Sequence, residues 1–416
     1  MPGSCQAEWV DDRIHAFIRK GYDITLVSAT CCFTHTDKHI KHLKTPALSP
    51  HAAGYEYEEM QRRNIPAVKN IGYAYIKCMA WFDVLLTKMK IKSGEGKWSW
   101  FITSLLLSLF SGTIKKQEFI YTTGGPASAH LTGILLAKIF RKKVICEFQD
   151  PLSGEDIGRN KLSQIGLQYF EKRIIKYADC TIYCTRNAMQ DARKRYSQFS
   201  NKIFFVYPGS NAVEDHLKSQ SALNAAANNN GKLNITYLGS LYQTRNLDAL
   251  MKAIDELSVE TNTTPEIAVN IYGNMNTDIR ERIVNFKHKN IMFIHGLVDR
   301  DTAMQKALEA DILLLVQNTD ERSVATIPFK TYDYLHTGKL ILALIYKNNE
   351  IEEMMQEHGH LVCQANDVSG IKSILKNIHS VFSAKKDAIK ISKYTPDFAV
   401  EKMIELVKLT PYIKNN

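Results

Sequence analysis

Within residues 323–345, SVATIPFKTYDYLHTGKLILALI, three polar residues recur at helical spacing. Lys330, Asp333 and Thr337 stand at i, i+3 and i+7, so a helix carries a cation, a carboxylate and a hydroxyl on one face. That set suits a nucleotide, with the cation on phosphate and the carboxylate on the two ribose hydroxyls. The same spacing also describes a surface ion pair of little energetic consequence, and both readings stand on this stretch alone. Phe329, Tyr332 and Leu335 form a separate apolar stripe. Pro328 has the fixed φ that suits a first helical turn, and Thr337-Gly338 stops the helix before the apolar run Leu340–Ile345.

A second set lies upstream. Leu233–Gly239 reads as a strand that runs into SLYQTR, with a helix from about Asn246. Gly239 removes a side chain where backbone must approach a ligand. Arg245 precedes a helix N-terminus, so guanidinium and helix dipole favour the same anion. A solvated arginine at a helix start is common, and Arg245 gains weight from Lys330 and Asp333 in the same predicted domain.

The first half of the chain offers EFIYTTGGPASAHLTGILLAKIFRKKVICEFQDP, residues 118–151. It predicts a strand over Phe119–Thr122, a Gly124-Gly125 turn, a helix over Ala127–Arg141 opened by Pro126, and a strand over Val144–Phe148. A right-handed crossover makes the strands parallel and puts functional groups at their carboxyl ends, here Thr123-Gly124-Gly125 and Gln149-Asp150. Asp150, at a strand end before Pro151, is a candidate site residue or a turn residue. His130, one turn into the helix, is a candidate catalytic residue or a structural one.

The string P-x-K-x-Y-D-Y-L-x-x-G-K at 328–339 resembles the C-terminal signature of glycosyltransferase family 4. GPASAHL and EFQDP resemble strings in that family's surface-polysaccharide enzymes. The run 171–185, EKRIIKYADCTIYCT, resembles an architectural helix–strand of the same family. The resemblance implies the GT-B fold, two facing Rossmann-like domains with parallel sheets, and transfer with retention from a nucleotide-sugar donor to a polysaccharide or lipid-linked oligosaccharide. It implies that Gly239, Arg245, Lys330, Asp333 and Thr337 bind the nucleotide sugar, with Arg245 at the position of a basic diphosphate-binding residue. Gly124 and Gly125 fall on the acceptor side, and Asp150 and His130 are the catalytic candidates. Asp333 occupies the second position of a Glu–seven residues–Glu motif; the first falls on Ala325, so that Glu is absent. No metal or other cofactor is expected, the nucleotide sugar being a substrate. A sugar-nucleotide epimerase on the same fold and a catalytically silent partner subunit are the alternatives.

At 416 residues the chain has room for two domains, and 45% apolar with 23% charged residues describes a globular protein. A net charge of +10 points to an anionic partner. No nucleic-acid-binding motif accompanies the charge, which leaves phosphate-bearing substrates and anionic membrane surfaces. The eight cysteines are scattered without zinc-site or disulfide-framework spacing, and MPGSCQAEWVDDR lacks an apolar leader core, so a cytoplasmic setting is expected. Residues 98–112, WSWFITSLLLSLFSG, lie between lysine clusters. As a helix they span about 22 Å, short of the ~30 Å hydrocarbon core. Two readings follow: a helix packed on the sheet, or an interfacial helix docked on the inner, anionic membrane face.

The predicted organisation is an N-terminal acceptor-side domain over 1–210, a linker over 211–231 that includes the polar run KSQSALNAAANNNGK, a nucleotide-sugar domain over 232–397, and a C-terminal helix and tail over 398–416. In the second domain, strands at 268–273, 291–296, 311–316, 340–345 and 360–363 alternate with helices. The C-terminal helix often returns to the first domain in GT-B proteins. At the start, a helix over Glu8–Lys20 and a strand over Asp23–Ala29 resemble the first helix and second strand of a GT-B domain. The first strand and its Gly-containing loop are missing, and the expectation is that the natural chain begins upstream of Met1. Residues 33–66 read as a polar surface excursion and 68–92 as a helix.

Overall fold

The computed structural model describes residues 5–30, 35, 37–46, 74, 77, 78, 81, 99–124, 127–153, 161–211, 213, 232–383 and 392–409. Gly125, all but four residues of the expected helix at 68–92, and nearly all of the 211–231 linker lie outside them. The chain divides into two compact units, 1–207 together with 399–416, and 208–398.

In the first unit α1 (Cys5–Arg19) leads through Gly21, at φ +87°, into β1 (Ile24–Ala29). β1 pairs in parallel with β2 (Ile40–Thr45), Ile24 opposite Ile40. β2 corrects the reading of 33–66 as an excursion. Its sequence, IKHLKT, puts two lysines and a histidine into six residues and hides the strand period, although Ile40 and Thr45 are buried. Next come α2 (Ser99–Phe110), β3 (Phe119–Gly124), α3 (Ala127–Phe140), β4 (Lys143–Phe148), α4 (Lys161–Tyr177), β5 (Cys180–Tyr183), α5 (Arg186–Arg195) and β6 (Ile203–Phe205). β3 to β6 form a second parallel sheet in chain order. Among the described residues no strand pairs with the far edge of β1 or the outer edge of β3; Gln117 Nε2 reaches Thr25 Oγ1 at 3.2 Å.

Polar ties run through this unit's core. Arg13 of α1 and Glu147 of β4 form a fully buried ion pair at 3.1 Å, and Tyr121 of β3 donates its hydroxyl to the same carboxylate. The C-terminal helix, Pro396–Leu409, lays Ala399, Val400 and Met403 against Phe17, Ile145, Ile182 and Val206. Glu171, also fully buried, accepts from Tyr183 and Tyr196 at 2.9 Å each, which bears out the architectural reading of 171–185.

The second unit holds β7 (Leu233–Leu238), α6 (Asp248–Thr261), β8 (Ile267–Tyr272), α7 (Thr277–Val284), β9 (Met292–Gly296), α8 (Arg300–Glu309), β10 (Ile312–Val316), α9 (Lys330–His336), β11 (Leu340–Ile345), α10 (Asn349–Glu357), β12 (Leu361–Gln364), α11 (Val368–Lys376) and α12 (Ile378–Ser383). The strands make one parallel sheet in the order β12-β11-β10-β7-β8-β9. Counted within the unit this is the doubly wound order 3-2-1-4-5-6. β10 and β11, ILLLV and LILALI, are buried at every position, as continuous apolar runs are when helices cover both sheet faces. The order reverses between β7 and β10, so a crevice opens beyond the carboxyl ends of those two strands. Among the described residues no helix is long and apolar enough to cross a membrane.

Candidate functional site

Gly239 ends β7 at φ +127°, a conformation that disfavours other residues. Its N–H donates to Tyr272 O at 2.8 Å. Gly273, at φ +140°, closes on it from β8: a Cβ there would lie 2.1 Å from Gly239 O. The sequence reading named Gly239 and passed over Gly273, whose need for the missing Cβ arises only once β7 and β8 are neighbours.

Beyond Gly239 the loop to Asn246 is tied to the segment that follows β10. Thr244 Oγ1 donates to Asp320 Oδ2 at 2.6 Å, and Thr319 Oγ1 donates to Thr244 O at 3.3 Å. Arg322 grips Asp320 at 2.8 Å and holds its carboxyl at about 2, well below the usual carboxylate range. Two buried amides support the same segment from beneath. Gln317 Nε2 and Asn348 Nδ2 both donate to the carbonyls of Ser323 and Thr326, at 2.5 to 3.1 Å. Ala325 sits inside this braced turn, the 3₁₀ segment Glu321–Ala325.

α9 enters from that segment. Thr331 N and Tyr332 N bond to Pro328 O and Phe329 O, a tight first turn opened by the proline, and Gly338 at φ +73° ends the helix. Tyr332 and Leu335 are buried on the core stripe. Lys330 Nζ donates to Leu238 O at 2.9 Å, lies 3.8 Å from the centroid of the Tyr237 ring, and would be 3.4 Å from a Cβ on Gly239. The ammonium is therefore seated at the carboxyl end of β7 by a carbonyl and an aromatic face. Arg245 meets the other end of the same tyrosine. Burial pushes the Tyr237 hydroxyl up to about 12, against the opposing pull of the Arg245 guanidinium. Arg245 Nε is itself buried with no hydrogen-bond partner. Gly239, Arg245 and Lys330 are thus gathered around Tyr237, which sequence reasoning had treated only as part of a strand.

One turn along α9, Asp333 accepts from Ser210 Oγ at 2.5 Å and lies 3.9 Å from Arg300. Its side chain is 16% exposed; burial raises its pKa, opposed by Arg300, Ser210 and His336. Ser210 and Arg300, distant in sequence, carried no local signal. Thr337 closes the helix: its hydroxyl donates to Tyr334 O at 2.7 Å and accepts from Lys339 N at 3.1 Å. Tyr334, buried, accepts Leu238 N–H on its hydroxyl at 3.0 Å and so fixes the end of β7 to α9.

In the first unit Gly124 ends β3 at φ +135° and Asp150 is exposed just beyond β4, both at strand carboxyl ends. His130 is fully buried. Its Nε2 faces Gly124 O at 3.2 Å, which requires a proton on that nitrogen, and its Nδ1 lies 2.8 Å from Thr122 Oγ1. Burial pushes its pKa down to about 4, so the ring is neutral and braces the turn after β3. That geometry suits a positioning group.

A scan against protein-family models finds no match, and a search of curated proteins finds none either. Solved structures do match in fold. The chain is similar to sucrose-phosphate synthase from Thermosynechococcus elongatus, at 12% identity over 96% of this chain and 92% of that one, with a TM-score of 0.62. It is also similar to Alr3699/HepE of Anabaena, solved in complex with UDP, at 11% identity over 79% and 89% of the two chains, with a TM-score of 0.53. Together with the parallel sheets of the two units, these likenesses show the GT-B fold, built from two Rossmann-like domains.

Proposed function

We propose that this protein is a nucleotide-sugar-dependent glycosyltransferase that extends a polysaccharide or a lipid-linked oligosaccharide with retention. One observation carries the reading: Lys330 and Arg245 converge on Tyr237 beside Gly239, at the point where the strand order of the sheet reverses. Two cations beside a glycine-lined strand end suit the diphosphate of a sugar donor. They neutralise the leaving group as its bond to the sugar breaks, the step at which electrostatic stabilisation contributes most. With that charge supplied by side chains, the reading assigns no metal at this site. Asp333 anchors the ribose, with Ser210 and Arg300 orienting its carboxylate, and Thr337 shapes the helix end behind it. Gly124, Gly125 and Asp150 serve the acceptor, and His130 positions the Gly124 turn. The fold neighbour named a synthase of sucrose phosphate and the one solved with UDP support nucleotide-sugar chemistry. The membrane partner is assigned to α2, whose outer face carries Ile102, Leu106 and Phe110 in the open.

The test is a panel of nucleotide sugars and nucleoside diphosphates offered with and without saccharide acceptors. Lys330→Ala and Arg245→Ala should each weaken diphosphate binding by about 1.5–3 kcal/mol, the range for charge-assisted bonds. Unchanged binding in both variants would remove the site assignment. An epimerised nucleotide sugar formed without acceptor would make the protein an epimerase. Binding with no turnover on any acceptor would make it a silent partner subunit.

A further inference from the structure

Away from the strand-end sites, the first unit gathers three metal-ligand side chains that the proposed transfer does not use. Asp11 and His15 stand one turn apart on α1, and His35 follows β1. Asp11 Oδ1 lies 3.7 Å from His15 Nε2 and 3.2 Å from His35 Nδ1, and all three ligand atoms fall within 4.8 Å of one another. Donors bound tetrahedrally at ~2.0–2.1 Å sit about 3.3 Å apart, so two of the three separations are near that value. The third, between the two imidazoles, lies within 4.8 Å, and the His15 ring is half-exposed.

Two further observations separate this trio from an ordinary surface ion pair. Asp11 Oδ1, the atom common to both pairs, is shielded from solvent and has no hydrogen-bond partner, although its side chain as a whole is 45% exposed. A shielded carboxylate oxygen is costly unless a cation meets it, either a protonated imidazole or a metal ion held by all three side chains. His35 is also held from behind. Its backbone N–H donates to His42 Nδ1 at 3.3 Å, and His42 Nε2 in turn lies 2.7 Å from Ser28 Oγ on β1. These bonds hold the His35 backbone in place beside β1.

We propose that Asp11, His15 and His35 form a binding site for a divalent transition metal, with Zn²⁺ the best fit. Two imidazole nitrogens and one carboxylate oxygen are a donor set for zinc and its neighbours in the first transition row. Mg²⁺ and Ca²⁺ demand oxygen-rich shells instead. Three protein ligands leave one tetrahedral position for water. The ion clips the middle of α1 to the segment after β1. Neither two histidines in different predicted elements nor an aspartate four residues before one of them forms a recognised zinc spacing, so the sequence reading passed over them.

Full-length protein stripped with chelator tests this by competition titration against a chromophoric Zn²⁺ indicator, and by visible spectroscopy with Co²⁺ in place of Zn²⁺. One equivalent should bind, with tetrahedral Co²⁺ bands and no sulfur-to-metal charge transfer, and Mg²⁺ should not compete. His15→Ala and His35→Ala should each weaken binding more than about tenfold, whereas His379→Ala, in α12 of the other unit, should not. Asp11→Asn, which keeps the shape of the side chain, should weaken it as well, and circular dichroism confirms that each variant is folded. Absence of stoichiometric binding overturns the proposal. So do a sulfur charge-transfer band, or Zn²⁺ affinity unchanged in the folded His15→Ala and His35→Ala variants.

Discussion

The two units solve one problem in different ways. In the second, six strands pair without interruption, and the interior β10 and β11 are buried at every position. In the first, among the described residues, pairing breaks into sheets of two and four strands, and every residue of β1 and β3 is only partly buried. The unbroken sheet has a largely apolar core, its polar members a short line of Thr236, Asn234 and Asn270 bonded across β7 and β8. The broken one carries polar ties inside: Arg13 with Glu147 and Tyr121, and Gln117 with Thr25. The comparison yields a rule that can be tested: the first unit should fail through its polar core, the second through its backbone packing. The protein's tryptophans, Trp9, Trp81, Trp98 and Trp100, all belong to the first unit, so their fluorescence reports on it alone.

The largest effect is expected at the buried ion pair. Glu147→Ala leaves Arg13 uncompensated at zero exposure and should cost the first unit about 3–5 kcal/mol. Arg13→Met combined with Glu147→Leu should recover most of that, because an apolar pair of similar volume needs no desolvated charge. Chemical denaturation followed by tryptophan fluorescence measures both. A loss below ~1 kcal/mol in Glu147→Ala would mean that water reaches the pair and that the two cores do not differ in kind.

Acid should act next. His130 is neutral in the folded state because burial pushes it down to about 4, while an unfolded histidine titrates near 6.5. The unfolded chain therefore binds the extra proton first. The stability from this depressed pKa is complete above pH ~6.5 and is lost as pH falls toward 4, by up to ~3 kcal/mol. His130→Gln should flatten the fluorescence-detected stability between pH 6.5 and 4.5. An equally steep profile in the variant would show that other groups drive the acid response.

In the second unit the contact to break is Gly239 against Gly273. Gly273→Ala puts a Cβ 2.1 Å from Gly239 O at φ +140°, so the strand end must shift. Overpacking of this kind costs about 1–3 kcal/mol. Because Lys330 is seated on Leu238 O, nucleoside diphosphate affinity should fall with it while the tryptophan-detected transition stays in place. Retained affinity would separate the glycine contact from the candidate site.

What was legible in the sequence follows the same division. In the second unit β10 and β11 are uninterrupted apolar runs, and every strand lies within a residue or two of its expected place; 340–345 matches outright. Lys330 and Asp333 were legible because a helix turns a spacing into a face. Tyr237, Ser210, Arg300 and Gly273 were not, since each matters through a neighbour more than 30 positions away. In the first unit β2 was missed because its lysines and histidine broke the apolar period, and His130 looked reactive because burial is invisible in a string of letters.

The smallest effect on stability, and the clearest separation of fold from partner, is expected at α2. This helix is turned inside out relative to an ordinary core helix. Ser104 and Ser108 are buried, with Ser104 Oγ 3.0 Å from Thr132 Oγ1 of α3, while Ile102, Leu106 and Phe110 are exposed at 59%, 46% and 85%. Small residues let α2 lie close on α3, which answers the packing reading. The three apolar side chains at i, i+4 and i+8 then line one outward stripe, the arrangement an interfacial helix would need. Lys115 and Lys116 are exposed just past its end, and Lys142 is held beside them by its bond to Lys115 O. Leu106→Ser with Phe110→Ser changes two exposed side chains, so folding stability should change by no more than about 1 kcal/mol. Binding to vesicles containing anionic lipid should drop in the same variant, and wild-type binding should weaken as salt screens the lysines. Ser104→Leu makes the opposite change, crowding the α3 contact at a cost of about 1–3 kcal/mol while leaving the outer stripe in place. If the double serine variant binds vesicles as wild type does, the stripe is not the membrane surface, and the lysines would have to act without it.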